Sequence, residues 1–98
     1  MRPIPKKMRD QMEKDPFMKV CCFPGCGAIL PEWHHVWIYA GRQINEPWAI
    51  VPGCTYHHRG KGFKKEVFER ISICRATQED LAKYPKKNWL LEMQRLGE

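Results

Sequence analysis

The side chains best able to do chemistry in this chain fall within residues 21–58. All four histidines and four of the five cysteines lie in this stretch. They are Cys21, Cys22, Cys26, His34, His35, Cys54, His57 and His58. Thiolate sulfur and imidazole nitrogen are donors that zinc prefers in proteins, and imidazole also accepts protons near neutral pH. The stretch therefore predicts a metal site and leaves histidines over for a second site.

Two ligand pairs with short internal spacing predict a structural zinc site. Cys54 and His57 form one pair and are separated by two residues. The other pair is Cys26 with Cys21 or Cys22, which precede it across a Phe-Pro-Gly turn. Tetrahedral zinc accepts four such ligands from two turns. The preferred set is Cys21, Cys26, Cys54 and His57, with Cys22 as the substitute for Cys21. The alternative is that these residues are free thiols that pack as small apolar side chains.

The three remaining histidines, His34, His35 and His58, suit the hydrolysis of a phosphodiester. That reaction needs an activated water and compensation of the negative charge that develops on the phosphate oxygens. A divalent ion can supply the charge, and an imidazole can activate the water. The three side chains can therefore divide into two metal ligands and one base. The alternative is that the tandem histidines are only structural.

The order Cys-x4-Cys, His-His, Asn and Cys-x-x-His-His resembles the HNH endonuclease family, in particular its compact bacteriophage and prophage members. The likeness covers about residues 20–62. It implies an α+β fold, with a small zinc-stabilised ββα-metal core and flanking N- and C-terminal helices. It also implies DNA as the substrate, one divalent ion (Mg²⁺, Mn²⁺ or Ni²⁺), and products with 5′-phosphate and 3′-hydroxyl ends.

The resemblance also implies roles for individual residues. His34 and His58 match the family's metal ligands, and His35 matches its general base. The middle Asn of the family commonly lies nine residues before the last His, a place that Ala49 holds here; Asn45 is the nearest candidate. Strand alternation would send the side chains of two adjacent histidines to opposite faces. We therefore predict that the strand bends, bulges or begins at this point.

Basic segments flank the ligand-rich region. The net charge is +6, with six Lys/Arg against three Asp/Glu in residues 1–19 and six against two in residues 59–75, whereas residues 20–58 carry one against two. Such a distribution suits a polyanion that approaches a metal centre, although solvated surface charge is the alternative. Arg59 is the preferred phosphate contact because it adjoins His58. Further candidates for DNA contact are Arg42, Lys61, Lys64 and Lys65.

Hydrophobic spacing and turn residues predict a single domain over residues 1–98. The predicted elements are helices over about residues 6–14, 63–73 and 86–96, strands over 32–40 and 48–51, and a short helix that carries His57 and His58. Phe63, Val67 and Ile71 would form the core face of the second long helix. Thr77 with Asp80 three residues later is a capping-box pattern.

The chain has no signal-peptide pattern and no apolar run of the length that a membrane span requires, which predicts a cytoplasmic protein without membrane contact. The leading functional hypothesis is a metal-dependent endonuclease, and cutting both strands with one small site would favour a homodimer or successive nicks. The alternatives are a non-catalytic zinc module that binds nucleic acid or protein, and a nuclease that has lost turnover.

Overall fold

The computed structural model describes residues 3–97, so residues 1, 2 and 98 of the predicted domain lie outside the described part. The chain combines helices with small antiparallel sheets, which confirms the α+β class. The helices are α1 (Lys6–Glu13), α2 (Thr55–His58), α3 (Lys65–Arg75), α4 (Gln78–Ala82) and α5 (Trp89–Arg95), and the strands are β1 (Glu32–His35), β2 (Ile38–Tyr39), β3 (Arg42–Gln43) and β4 (Ile50–Gly53). Short 3-10 turns cover Pro16–Lys19 and Pro47–Ala49. Within residues 3–97, no helix is long and apolar enough to cross a membrane.

The two-stranded sheet of β1 and β4 underlies the ligand-rich region. The strands pair antiparallel in unbroken register, from Glu32 opposite Gly53 to His35 opposite Ile50. The predicted long strand over 32–40 is wrong, because the chain leaves β1 after four residues and forms a separate ribbon of β2 and β3. The turn of that ribbon is Ala40-Gly41, where both residues have positive φ. The second predicted strand, over 48–51, is present but begins and ends two residues later, because the 3-10 turn Pro47–Ala49 precedes β4 (Ile50–Gly53).

The long helices occur where they were predicted, with shifted bounds. α1 matches the predicted helix over 6–14 to within one residue, whereas α3 begins and ends two residues later than the predicted 63–73. α5 begins three residues after the predicted start at 86, because the Asn88 side chain accepts from the Leu91 backbone N–H at 3.0 Å and caps the helix there. The Thr77–Asp80 capping box is present and begins α4.

The face that α3 buries is not the predicted one. Phe68 and Ser72 are fully buried, whereas Phe63 precedes the helix and is 40% exposed. The observed face is rotated by one residue, about 100°, from the Phe63-Val67-Ile71 row. α3 packs against the 3-10 turn Pro47–Ala49 and β4. Its Ile73 joins the main core cluster, which also contains Trp37, Ile44, Trp48, Ala49, Leu81, Trp89 and Leu96.

A buried serine connects three parts of this core, and its removal should destabilise the fold. Ser72 Oγ donates to the Trp48 carbonyl at 2.7 Å and accepts from Trp37 Nε1 at 3.0 Å. Ser72→Ala leaves both partners unsatisfied, so we expect the free energy of unfolding to fall by about 1–3 kcal/mol. Urea denaturation measures this loss. If Ser72→Ala and Trp37→Phe gave strictly additive losses, the shared hydrogen bond would be excluded as their source.

Candidate metal centre and histidine site

Four of the predicted ligands lie close together at the N-terminus of α2. The ligand atoms of Cys21, Cys26, Cys54 and His57 are all within 4.8 Å of one another. The Sγ atoms of Cys26 and Cys54 are 3.8 Å apart, and His57 Nδ1 lies 3.6 Å from Cys21 Sγ and 3.2 Å from Cys54 Sγ. These four residues could bind a metal ion such as zinc.

The donor set fits zinc in chemistry and in size. Zinc–sulfur bonds of about 2.3 Å and zinc–nitrogen bonds of about 2.0 Å put tetrahedral sulfurs about 3.8 Å apart, and sulfur and nitrogen about 3.5 Å apart. The Cys26–Cys54 and Cys21–His57 separations agree with these values, the Cys54–His57 pair is shorter, and the other three pairs lie within 4.8 Å. The four ligand atoms are therefore close enough for one ion to bind them after small side-chain adjustments.

Local backbone structure explains how the four ligands meet. Cys26 N–H donates to the Phe23 carbonyl at 3.0 Å, which closes the turn that follows the first thiol. Gly25 and Gly27 have φ of 81° and 70°, a region that side chains other than glycine rarely adopt, so they let this turn reverse tightly. The Phe23 ring stacks on the His57 ring at 4.0 Å, nearly parallel to it, and so fixes the imidazole plane.

Cys22 lies outside the four-residue cluster found among residues 3–97. Its backbone N–H donates to the Pro52 carbonyl at 2.9 Å, which joins the ligand turn to β4. Burial, assisted by the negative charge of a neighbouring Cys21 thiolate, raises the pKa of the Cys22 thiol to about 12. Burial also raises the pKa of the Cys21 thiol, so the pKa does not distinguish the two cysteines, whereas the position of the sulfur does, because only Cys21 lies within the cluster. The structure therefore favours Cys21 over its predicted substitute.

A second group of side chains lies on the other side of α2. His34 on β1 and His58 on α2 have ring centroids 4.7 Å apart. Phe68 and Phe63 border the His34 ring at 5.3 and 5.8 Å. Gly53 makes this approach possible, because a Cβ there would lie 3.1 Å from the Phe68 ring and 3.3 Å from His58 Cβ. The structure thus brings together two of the three histidines left over from the cysteine cluster.

Glu32 is a member of this group that the sequence analysis missed. Its Oε1 accepts from His58 Nδ1 at 2.9 Å and from Arg59 Nε at 2.9 Å. The Nδ1 proton is directed at the carboxylate, so in the neutral ring of His58 the lone pair is on Nε2. The signal was present in the sequence, because residues two apart on a strand share a face and Glu32 is two residues from His34.

The environment of His34 keeps its imidazole neutral. Burial, with the charges of His58 and His35 adding to it, lowers the pKa of His34 to about 4. At neutral pH the ring is therefore unprotonated and has a lone pair to offer a cation.

His35 makes different contacts from its neighbour. It is 6% exposed, and its Nε2 lies 3.1 Å from Asn45 Oδ1. Asn45 Nδ2 donates to the Pro3 carbonyl at 2.8 Å, which fixes the orientation of the amide. Since Asn45 Oδ1 can only accept, Nε2 of His35 carries the proton and Nδ1 holds the lone pair. This Nδ1 atom is buried and has no hydrogen-bond partner within residues 3–97.

The predicted distortion of the strand is absent. β1 begins two residues before His34, and the register to β4 is regular through His35. The two side chains therefore alternate, with His34 against α2 and α3 and His35 toward Asn45. Their separation follows from ordinary strand geometry, in which adjacent side chains point to opposite faces. All four residues of β1 keep that geometry.

The predicted phosphate contacts are exposed basic side chains. Arg59 is the one that touches the histidine group, through its ion pair with Glu32. The others are also exposed, namely Arg42, Lys61, Lys64 and Lys65. Comparison with protein-family models, with curated proteins and with solved structures finds no match to this chain.

Proposed function

We propose that this chain is a metal-dependent endonuclease of the HNH type, with a structural zinc at the cysteine cluster and a divalent ion at the histidine group. The observation that carries the proposal is the pairing of His34 with His58 beside a separate set of cysteines. Structural zinc sites are closed by four protein ligands, whereas catalytic sites keep open positions. Two imidazoles with an adjacent carboxylate suit the second kind.

The arrangement supports different roles for the three histidines. His34 and His58 would hold the divalent ion, which when bound supplies positive charge to the scissile phosphate. His35 would take the proton of the attacking water on Nδ1, since Asn45 holds the proton on Nε2. Because Nδ1 is buried in the free protein, substrate binding would have to expose it.

Arg59 and the β1 edge support a nucleic-acid substrate. The Arg59 guanidinium is fixed by Glu32 at 2.9 Å, yet its side chain is 65% exposed, so it can also bind a phosphate oxygen. Within residues 3–97, β1 pairs only with β4, so no strand covers its other edge, whereas the His35 side chain itself is buried. The basic segments on either side of residues 20–58 supply attraction for a polyanion.

A cleavage panel tests the proposal. Supercoiled, linear, branched and single-stranded DNA would be incubated with the protein in Mg²⁺, Mn²⁺ or Ni²⁺, with EDTA and His35→Ala as controls. We expect nicking that requires both the ion and His35. Binding of DNA without cleavage in any metal would instead support a non-catalytic zinc module. The metal content separates these cases, because the nuclease should hold one tight zinc and one exchangeable ion per chain.

Replacing Glu32 should weaken the exchangeable ion selectively. Glu32→Gln replaces the charged acceptor that orients His58 with a weaker, neutral amide whose NH₂ group can also turn toward the ring, and loss of such a carboxylate partner typically costs about 10- to 100-fold in metal affinity. We expect Mn²⁺ titration by calorimetry to show this loss, with the tightly bound zinc content unchanged. Glu66→Gln, an exposed acidic residue in the first turn of α3, is the matched control. Equal Mn²⁺ affinity in the two variants would contradict the assigned role of Glu32.

A further inference from the structure

A groove adjoins the histidine group on the side of α1. Its volume is about 380 Å³, and Glu32, His58 and Arg59 contribute to its lining. Small-molecule sites commonly span about 300–1,000 Å³, so the groove is large enough for a substrate fragment. Because the proposed metal ligand His58 also lines the groove, a molecule bound there would lie next to that residue.

Residues of α1 also line the groove, namely Arg9 and Glu13. Ile4 and Trp33 add apolar surface to the lining. Trp33 Nε1 donates to the Met18 carbonyl at 3.3 Å, so the indole is anchored. Arg9 is exposed and forms no ion pair within residues 3–97, unlike Arg59. The groove is therefore lined by two guanidinium groups, Arg9 of α1 and Arg59 next to α2.

We infer that this groove binds the stretch of nucleic-acid backbone next to the scissile bond, with Arg9 contacting a phosphate that is not cleaved. The inference rests on the proposed nuclease function, and it extends the substrate site from α2 to α1. A guanidinium matches two oxygens of a phosphate, which makes Arg9 suited to this contact. Glu13 has the opposite effect, since its carboxylate repels a phosphate in the same groove and limits the affinity.

Three substitutions on α1 separate this role from general surface charge. Arg9→Ala removes the proposed contact, and Glu13→Gln removes the repulsion. Lys7→Ala is the matched control, because Lys7 is an exposed basic residue of the same helix that points about 160° away from Arg9. Each change is made in the His35→Ala background, so that a labelled oligonucleotide remains intact while its binding is measured by fluorescence anisotropy.

Arg9→Ala should weaken oligonucleotide binding about tenfold, the loss expected for one charge-assisted hydrogen bond. It should also reduce the slope of log affinity against log salt by about 0.7–0.9, as for one lost phosphate contact. Lys7→Ala should change both quantities much less, and Glu13→Gln should tighten binding. With His35 intact, Arg9→Ala should raise KM with little change in kcat.

The outcomes separate the groove from the nuclease. If the unmodified chain cleaves DNA but Arg9→Ala binds the oligonucleotide as tightly as Lys7→Ala, the proposed role of the groove is wrong and the nuclease proposal is retained. Binding that depends on Arg9, without cleavage in any metal, would support the groove as a phosphate site and overturn the nuclease. Failure to bind any oligonucleotide would overturn both.

Discussion

Replacing Cys26 or Cys54 with serine should leave the chain largely unfolded. The four ligands come from two segments that the chain separates by nearly thirty residues, and no disulfide joins the described cysteines. Binding of a structural zinc supplies about 10–16 kcal/mol in small zinc domains, which is comparable to the whole stability of about 5–15 kcal/mol of an ordinary domain. A 98-residue chain has little core to replace such a contribution.

Circular dichroism and zinc analysis measure this prediction. We expect loss of helical signal and of one zinc per chain in either serine variant, and the same change when a strong chelator is added to the unmodified protein. Cys22→Ser and Cys74→Ser are matched controls, because they alter thiols outside the cluster and should retain zinc and fold. A folded Cys54→Ser protein with an unchanged melting temperature would rule out the structural zinc.

The cysteine cluster could be predicted because its information is local. Cys54 and His57 lie within one turn that leads into α2, and the Pro-Gly turn returns Cys26 toward Cys21. Short spacings of this kind limit where the donor atoms can point, whatever the remaining fold does. The sequence did not decide whether Cys21 or Cys22 is the ligand. That choice depends on a tertiary contact, because the Cys22 backbone N–H donates to the Pro52 carbonyl of β4.

The histidine group was harder to predict because it depends on packing between elements. His34 meets His58 only because α2 crosses β4 closely at Gly53, and α3 closes over them with Phe68. The face of α3 was predicted one residue out of phase, since Phe63, Val67 and Ile71 also form a regular apolar row. Spacing cannot decide between two such rows, and the close approach of Phe68 to Gly53 decides it in the folded chain.

The tandem histidines illustrate a related limit. The nuclease hypothesis places all three imidazoles in one site. A bend or bulge in the strand was predicted because it would direct His34 and His35 to the same side. The structure instead keeps β1 regular and directs His35 to Asn45, which lies beyond the β2–β3 ribbon. The contact of Asn45 with His35 could not be read from spacing, because the ribbon between them sets their separation.

Replacing His35 with alanine should abolish cleavage while the domain remains folded. Loss of a general base typically lowers kcat by about 10²- to 10⁴-fold. Because His35 is 6% exposed and is bonded to Asn45, we also expect a decrease of about 1–3 kcal/mol in the free energy of unfolding. Single-turnover cleavage and thermal denaturation of the same preparation measure the two effects separately.

The cause of that loss can be identified by rescue. His35→Ala leaves a space of imidazole shape, in which an added imidazole could donate its N–H to Asn45 Oδ1 as the His35 ring does. Imidazole added to the solution should restore part of the activity of His35→Ala, whereas raising the divalent ion should not. His34→Ala should respond in the opposite way, because it lacks a proposed metal ligand and mass action can compensate for weaker binding. Rescue of His35→Ala by the ion instead would assign the base to another residue and make His35 a metal ligand.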